Sequence, residues 1–226
     1  MLFLSWPVAP ASLAGRIPAP LSLDTFEGQA WITLIPFRME RLRPRGLPPV
    51  PPFSRFDEVD CLTYVVYGEE PGIWFFRIDA GTLMGSVVGR KLFGLPYHDS
   101  AVSLHREGED RVFRSEGRVD DGDERPELRL RYRPRGPAYE AAPGTLARFI
   151  VERFVMFSSS GSGALLRGSE ARAPRLIQEC DVTVSRNTLP QAAGIPGPTG
   201  EPTAWYCARS EIRTWIPERV RQGGAR

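Results

Sequence analysis

Apolar residues along this chain fall into short blocks that alternate or run continuously, with Gly, Pro, Asn and Asp between them. That is the signature of many strands. Residues 9–17 carry enough helical spacing for one or two turns, stopped by Pro18 and Pro20. Residues 21–24 and 30–38 read as strands around a Glu27-Gly28 turn. Five prolines within 43–53 preclude a regular element, so this segment reads as a surface loop or extended cover. The runs 62–67 and 73–78 are apolar on both faces and flank Gly68-Glu-Glu-Pro-Gly72, which predicts a hairpin of central strands.

Leu83, Met84, Val87, Val88 and Leu92 recur at helical spacing, which predicts a short buried helix over 82–93, ended by Gly94 and Pro96. A strand follows from Tyr97 to about Arg106. Residues 111–119 and 127–133 form the next hairpin, joined by Asp120-Asp-Gly-Asp-Glu124. A second helix is expected over about 144–154, then strands near 164–172, 176–184 and 203–216, with a Pro/Gly loop at 194–202. Many strands, two or three short helices and no βαβ alternation argue for an α+β fold that is mainly antiparallel. No repeat or composition break marks a boundary, so one domain over 1–218 is expected, with 219–226 as a flexible tail.

Composition narrows the chemistry. With 226 residues, 42% hydrophobic and 25% charged, the chain can bury a core without disulfides or metal. A formal charge of +2 gives no general reason to expect nucleic acid or an acidic membrane surface. Lys91 is the only lysine among 29 basic residues, so amine chemistry has one side-chain candidate. Cys61, Cys180 and Cys207 are odd in number and widely spaced, which suits free thiols in a reducing compartment. His98 and His105 are the only histidines and no metal-ligand spacing occurs, so neither metal nor other cofactor is implied. Residues 1–7 lack the basic start and apolar length of a signal peptide, and no stretch approaches a membrane span. A cytoplasmic location without a membrane partner is therefore expected.

Three further patterns carry little chemistry. Arg129, Arg131, Arg133 and Arg135 alternate with apolar residues, and the acidic run at 120–124 offsets this basic strand face, so it reads as solvated and not as a nucleic-acid site. Gly161-Ser-Gly163 has no following Gly-Lys and is a turn. Ser100 and Ser103 sit in no nucleophile elbow.

Seven segments, in order along nearly the whole chain, resemble the uncharacterised YqjF-like family. They are Leu4-Ser-Trp-Pro-Val8, Leu23-Asp-Thr-Phe-Glu-Gly-Gln-Ala-Trp31, Ile35-Pro-Phe-Arg-Met39, Arg43-Pro-Arg-Gly-Leu-Pro48, Gly72-Ile-Trp-Phe-Phe76, Phe93-Gly-Leu-Pro-Tyr97 and Asn187-Thr-Leu189. Two stretches, 12–24 and 88–96, are also similar to acetoacetate decarboxylases. That resemblance implies a closed or conical antiparallel β-structure around a small-molecule cavity. It places Tyr97 and His98 where those enzymes carry an adjacent lysine pair, the first of which forms an imine with the keto acid. Lys91 stands where they have an acidic residue, and Trp6-Pro7 where an arginine is expected. A phenol and an imidazole form no imine with a ketone, so decarboxylation by that route is closed at this position.

The candidate site follows from these departures. Tyr97 and His98 begin a strand, so they face opposite sides and one of them faces the cavity. Tyr97 there can donate a hydrogen bond to a carbonyl or act as an acid; otherwise it is a half-buried aromatic with a satisfied hydroxyl. Arg38 can hold a carboxylate bidentately or be a surface arginine at a strand end. Glu58 and Asp60 precede the strand at Leu62, where they are an acid and base at the cavity mouth or two solvated carboxylates. Lys91 is expected at the rim or in a salt bridge. The expected partner is a small organic molecule, a carbonyl or carboxylic-acid metabolite, and a homo-oligomer is possible. A non-catalytic ligand-binding or structural domain is the alternative.

Overall fold

The computed structural model describes residues 1–51, 54–81, 89–118 and 125–220. In chain order it contains β1 (Leu2–Val8), α1 (Ala11–Ala14), β2 (Ser22–Leu23), β3 (Ala30–Glu40), β4 (Arg55–Tyr67), β5 (Glu70–Ala80), β6 (Tyr97–Glu107) and β7 (Asp110–Gly117). There follow β8 (Glu127–Glu140), α2 (Leu146–Val151), β9 (Val155–Ser159), β10 (Leu165–Ala171), β11 (Leu176–Asn187), α3 (Leu189–Ala192), β12 (Thr203–Cys207), β13 (Arg213–Thr214) and β14 (Glu218–Arg219). Most pairings are antiparallel; β5 pairs parallel with both β6 and β9.

Following the hydrogen bonds from β5 leads through β6, β7, β8, β11, β12, β1 and β3 to β4. Since β4 also pairs with β5, these nine strands, among the described residues, join in a closed ring. Period-two alternation then sorts each strand's side chains into the ring or out of it. Leu4, Ile32, Leu34, Val59, Cys61, Phe113, Leu128, Leu130 and Tyr132 meet in the main core, with Val102, Leu104 and Val182 packed on it. Phe3, Trp31, Leu62, Tyr64, Ile177 and Trp205 point the other way and are covered by Ala147, Ile150 and Val151 of α2. The long apolar runs read from the sequence as central strands are two-faced for this reason.

Several boundaries differ from the sequence expectation. β1 and β9 are strands that the short runs at 2–8 and 155–159 did not declare. β4 begins at Arg55 rather than Leu62, because Phe56 and Val59 bury their side chains although charged residues interrupt the pattern. The Glu27-Gly28 turn is as expected: both residues have positive φ, 51° and 76°, as a tight two-residue hairpin turn demands. The second helix is shorter than expected, and 203–216 splits into β12 and β13. Of the helix expected over 82–93, residues 82–88 lie outside the described residues and 89–93 are helical. The loop at 120–124 and the tail from 221 also lie outside them, while Arg219 pairs in β14 with β10. Leu92, expected to be buried, is exposed.

The short helix α2 shows how this fold pays for a buried helix end. Thr145 caps its start by accepting from Arg148 N at 3.3 Å. Its last carbonyls would be orphaned under the sheet without donors. Arg153 Nε reaches Phe149 O at 2.8 Å, and Arg175 Nη1 and Arg172 Nη2 reach Val151 O at 2.5 and 3.1 Å. Arg172 is fully buried and also donates to Glu152 Oε2 at 2.6 Å. These arginines serve the fold.

Candidate functional site

Glu58 and Asp60 lie on the same face of β4, one residue apart, and the register surrounds them with apolar neighbours. Glu58 sits between Phe37 and Ala80, and Asp60 between Ile35 and Ile78. Tyr97, the first residue of β6, lies beside Ile78 on that same face. Its hydroxyl points to Glu58 Oε1 at 3.3 Å. Three residues proposed separately from the sequence are thus brought together.

The sequence puts the carboxyls at a loop–strand junction, either at the cavity mouth or in solvent. Instead both are buried within a strand, because β4 starts seven residues earlier. Burial disfavours the charged form, so Asp60 is pushed up to about 7. Glu58 is raised well above the usual carboxylate range by burial first and by the Asp60 charge second. The pair therefore holds a proton at neutral pH. Glu58 Oε2 and Asp60 Oδ1 are buried, with no donor among the described residues besides the proton that the two carboxyls hold between them. The Tyr97 phenol is raised as well, by burial and then by the two carboxyls, so it remains a donor. One shared proton and one neutral phenol form a set that can both give and take a proton.

The ring of Tyr97 is held by an absent side chain. A Cβ on Gly89 would lie 2.2 Å from Tyr97 Cε2. Gly89→Ala will therefore force the ring off its seat and cost about 1–3 kcal/mol of stability, measurable by urea unfolding against wild type. Unchanged stability would show that the ring is free to move.

The other proposed residues lie elsewhere. Arg38 is on the opposite face of the sheet, where Nε and Nη2 clasp Asp57 at 2.6 and 2.9 Å. Nη2 also donates to Leu104 O, and Leu104 N donates to Asp57 Oδ2 at 2.8 Å, so this arginine clamps β3, β4 and β6 together. His98 faces away from Tyr97, beside Asp79 in the register. Asp79 is buried with Arg77, Nε to Oδ1 at 2.7 Å, and Ser115 Oγ donates to it at 3.2 Å. Burial raises the Asp79 carboxyl against the pull of Arg77. No signal in the sequence distinguished this second buried polar group, because Arg77 and Asp79 look like the charged residues that end a strand. Lys91 is exposed.

Among the described residues the arginine strand is neutralised by carboxylates of the neighbouring strands and of the turn at 108–109, while the acidic run at 120–124 lies outside them. Arg131 pairs with Glu107 and Asp110, Arg133 with Asp110 and Glu109, Arg129 with Glu116, and Arg135 with Asp181. Cys61, Cys180 and Cys207 are free thiols. Among the described residues no cluster of three or more His, Cys, Asp or Glu is placed to hold a metal ion. No described helix is long and apolar enough to cross a membrane.

Two clefts open near the site. One, of about 280 Å³, is lined by Trp74, Phe75, Arg90, Leu95, Pro96 and Phe157 among others. The other, of about 380 Å³, lies between Asp99–Ala101 and Glu116–Arg118. Neither has Tyr97, Glu58 or Asp60 in its wall.

Comparison with known proteins agrees with this architecture. The structure superposes on acetoacetate decarboxylase from Legionella pneumophila with a TM-score of 0.62 at 12% identity, covering 97% of this chain and 84% of that one. It superposes on the enduracididine biosynthesis enzyme MppR complexed with pyruvate with a TM-score of 0.64 at 11% identity, covering 96% and 84%. At such identities the likeness is one of fold: an acetoacetate decarboxylase-like, mainly antiparallel structure with short helices. In sequence, the chain is 31% identical over 215 residues to the uncharacterized protein YqjF of Bacillus subtilis (strain 168), covering 95% of this chain and 87% of YqjF. A family model described as an uncharacterized conserved protein matches residues 1–211, and the chain belongs to that YqjF-like family.

Proposed function

We propose that this protein binds a small carbonyl or carboxylic-acid metabolite and acts on it by acid–base chemistry without an imine. The observation that carries this reading is the buried Glu58–Asp60 pair with the Tyr97 hydroxyl 3.3 Å from Glu58. Buried carboxyls cost stability unless something is gained from them. A neutral phenol can donate to a carbonyl oxygen, and the ionised member of the pair can take a proton from the adjacent carbon. The binding of pyruvate by MppR, which shares the fold, supports a small oxo acid as the kind of ligand to test.

The test is proton exchange. Incubated in D₂O with a panel of 2-oxo and 3-oxo acids, the protein should speed deuterium entry beside the carbonyl of at least one. Tyr97→Phe and Glu58→Gln should each slow it by about 10²–10⁴-fold. Exchange that is absent from the whole panel, or indifferent to both substitutions, defeats the acid–base reading.

A second reading, a non-catalytic binding or structural domain, is favoured by one observation: neither cleft is walled by Tyr97 or the carboxyl pair. Ligand-induced stabilisation without proton exchange would select it.

A further inference from the structure

We infer that the cleft beside Tyr97 takes a small monocarboxylate with an apolar body, and that Arg90 holds its carboxylate. This deepens the proposed function, on which it rests, by naming the class of ligand.

The cleft exists because β5 changes partner along one edge. Residues 73–74 pair with β9 and residues 78–80 with β6, leaving a gap between the two parallel neighbours. The segment 93–96 crosses that gap. Phe93 O accepts from Ser158 Oγ at 2.6 Å, and Pro96 O accepts from Ile78 N at 3.0 Å. Gly94 is required there: its φ is +62°, and a Cβ would lie 2.4 Å from Ser159 O. What remains is about 280 Å³ of space walled by Trp74, Phe75, Leu95, Pro96 and Phe157, with the serine-rich stretch 158–161 completing it. That volume is close to the lower end for small-molecule pockets, and aromatic and aliphatic walls suit an apolar body.

The charge at its edge is Arg90. Its Nε donates to Tyr97 O at 2.5 Å. Among the described residues its guanidinium has no ion pair, in contrast to Arg38, Arg77 and Arg172, which are committed to carboxylates. A planar guanidinium fixed through Nε presents its remaining donors as a fork, the geometry that receives a carboxylate. The anchor is also tied to the reacting residue, since Arg90 bonds the Tyr97 backbone and Gly89, next in the chain, seats the Tyr97 ring. Arg38, the sequence's candidate for holding a ligand carboxylate, is engaged on the other face. Arg90 was not among the sequence's candidates, although it lies in the 88–96 stretch that resembles acetoacetate decarboxylases.

The experiment is equilibrium binding to the full chain by ligand-observed NMR, with phenylacetate and hexanoate as probes and phenylacetamide and hexanamide as neutral controls. The carboxylates should bind at micromolar to millimolar concentrations and the amides at least tenfold more weakly. Arg90→Gln should cost the carboxylates about tenfold or more and leave the amides unchanged. Arg90→Lys should restore part of the loss. The amide controls and an unchanged Tm guard against a folding effect. The inference is overturned if neither carboxylate binds, if the amides bind as tightly, or if Arg90→Gln leaves carboxylate affinity intact. Tyr97→Phe separates the two readings. Arg90-dependent binding without Tyr97-dependent proton exchange upholds this site and removes the proposed chemistry.

Discussion

The double variant Glu58→Gln/Asp60→Asn will be more stable than the wild type at pH 8, and the gain will shrink toward zero near pH 4. The reason is linkage. Asp60 titrates at about 7 in the folded protein against 3.8 as its ordinary value, because burial disfavours its charge. Between those two values the folded state binds more protons than the unfolded chain, so each step up in pH weakens folding. The stabilisation that wild type enjoys below pH 4 is lost progressively and is gone once pH passes 7. For Asp60 alone the loss is up to about 4 kcal/mol, and Glu58, raised in the same direction, adds to it. Urea unfolding of both proteins from pH 4 to 8 gives the difference profile. A flat difference, or one that grows toward acid, would show that the pair is ionised and solvated. The same double variant should lack proton-exchange activity, which would make the pair an instance of stability given up for a reactive arrangement.

Arg172→Ala is expected to destabilise the protein by about 3–5 kcal/mol, a drop in Tm on the order of 10 °C for a chain of this size. The side chain is fully buried and supports five groups at once: the Glu152 and Glu170 carboxylates and the Val151, Arg153 and Ala173 carbonyls. Its removal leaves Glu152, itself 3% exposed, with a backbone donor from Arg175 but no cation of its own. It also removes the donor to Arg153 O just beyond α2 and leaves Val151 O with Arg175 Nη1 alone. Glu152→Gln in the Arg172→Ala background should recover part of the loss, because the stranded charge is then gone. A loss below about 1 kcal/mol would mean that water replaces the guanidinium, and that α2 is less firmly docked than its contacts imply.

The sequence by itself determined the class of fold and most of its strands. Alternating and two-faced apolar runs are buried by strands of a sheet covered on one face or both, and the Glu27-Gly28 and Gly68-Glu69 turns each place a glycine at positive φ. It also determined the absence of a lysine at Tyr97, and with it the kind of amine chemistry that cannot occur there. Tertiary structure alone decided the surroundings of the polar residues. Glu58 and Asp60 look like solvated charges before a strand, and only the closure of β4 against β3 and β5 takes them out of water and raises their proton affinity. Arg38 and Arg90 are equivalent as letters. The first is consumed by Asp57 across one strand pair, while the second stands at a gap created by β5 changing partners. Ionisation and availability are properties of surroundings assembled from residues 20 to 100 positions apart, and no local pattern encodes them.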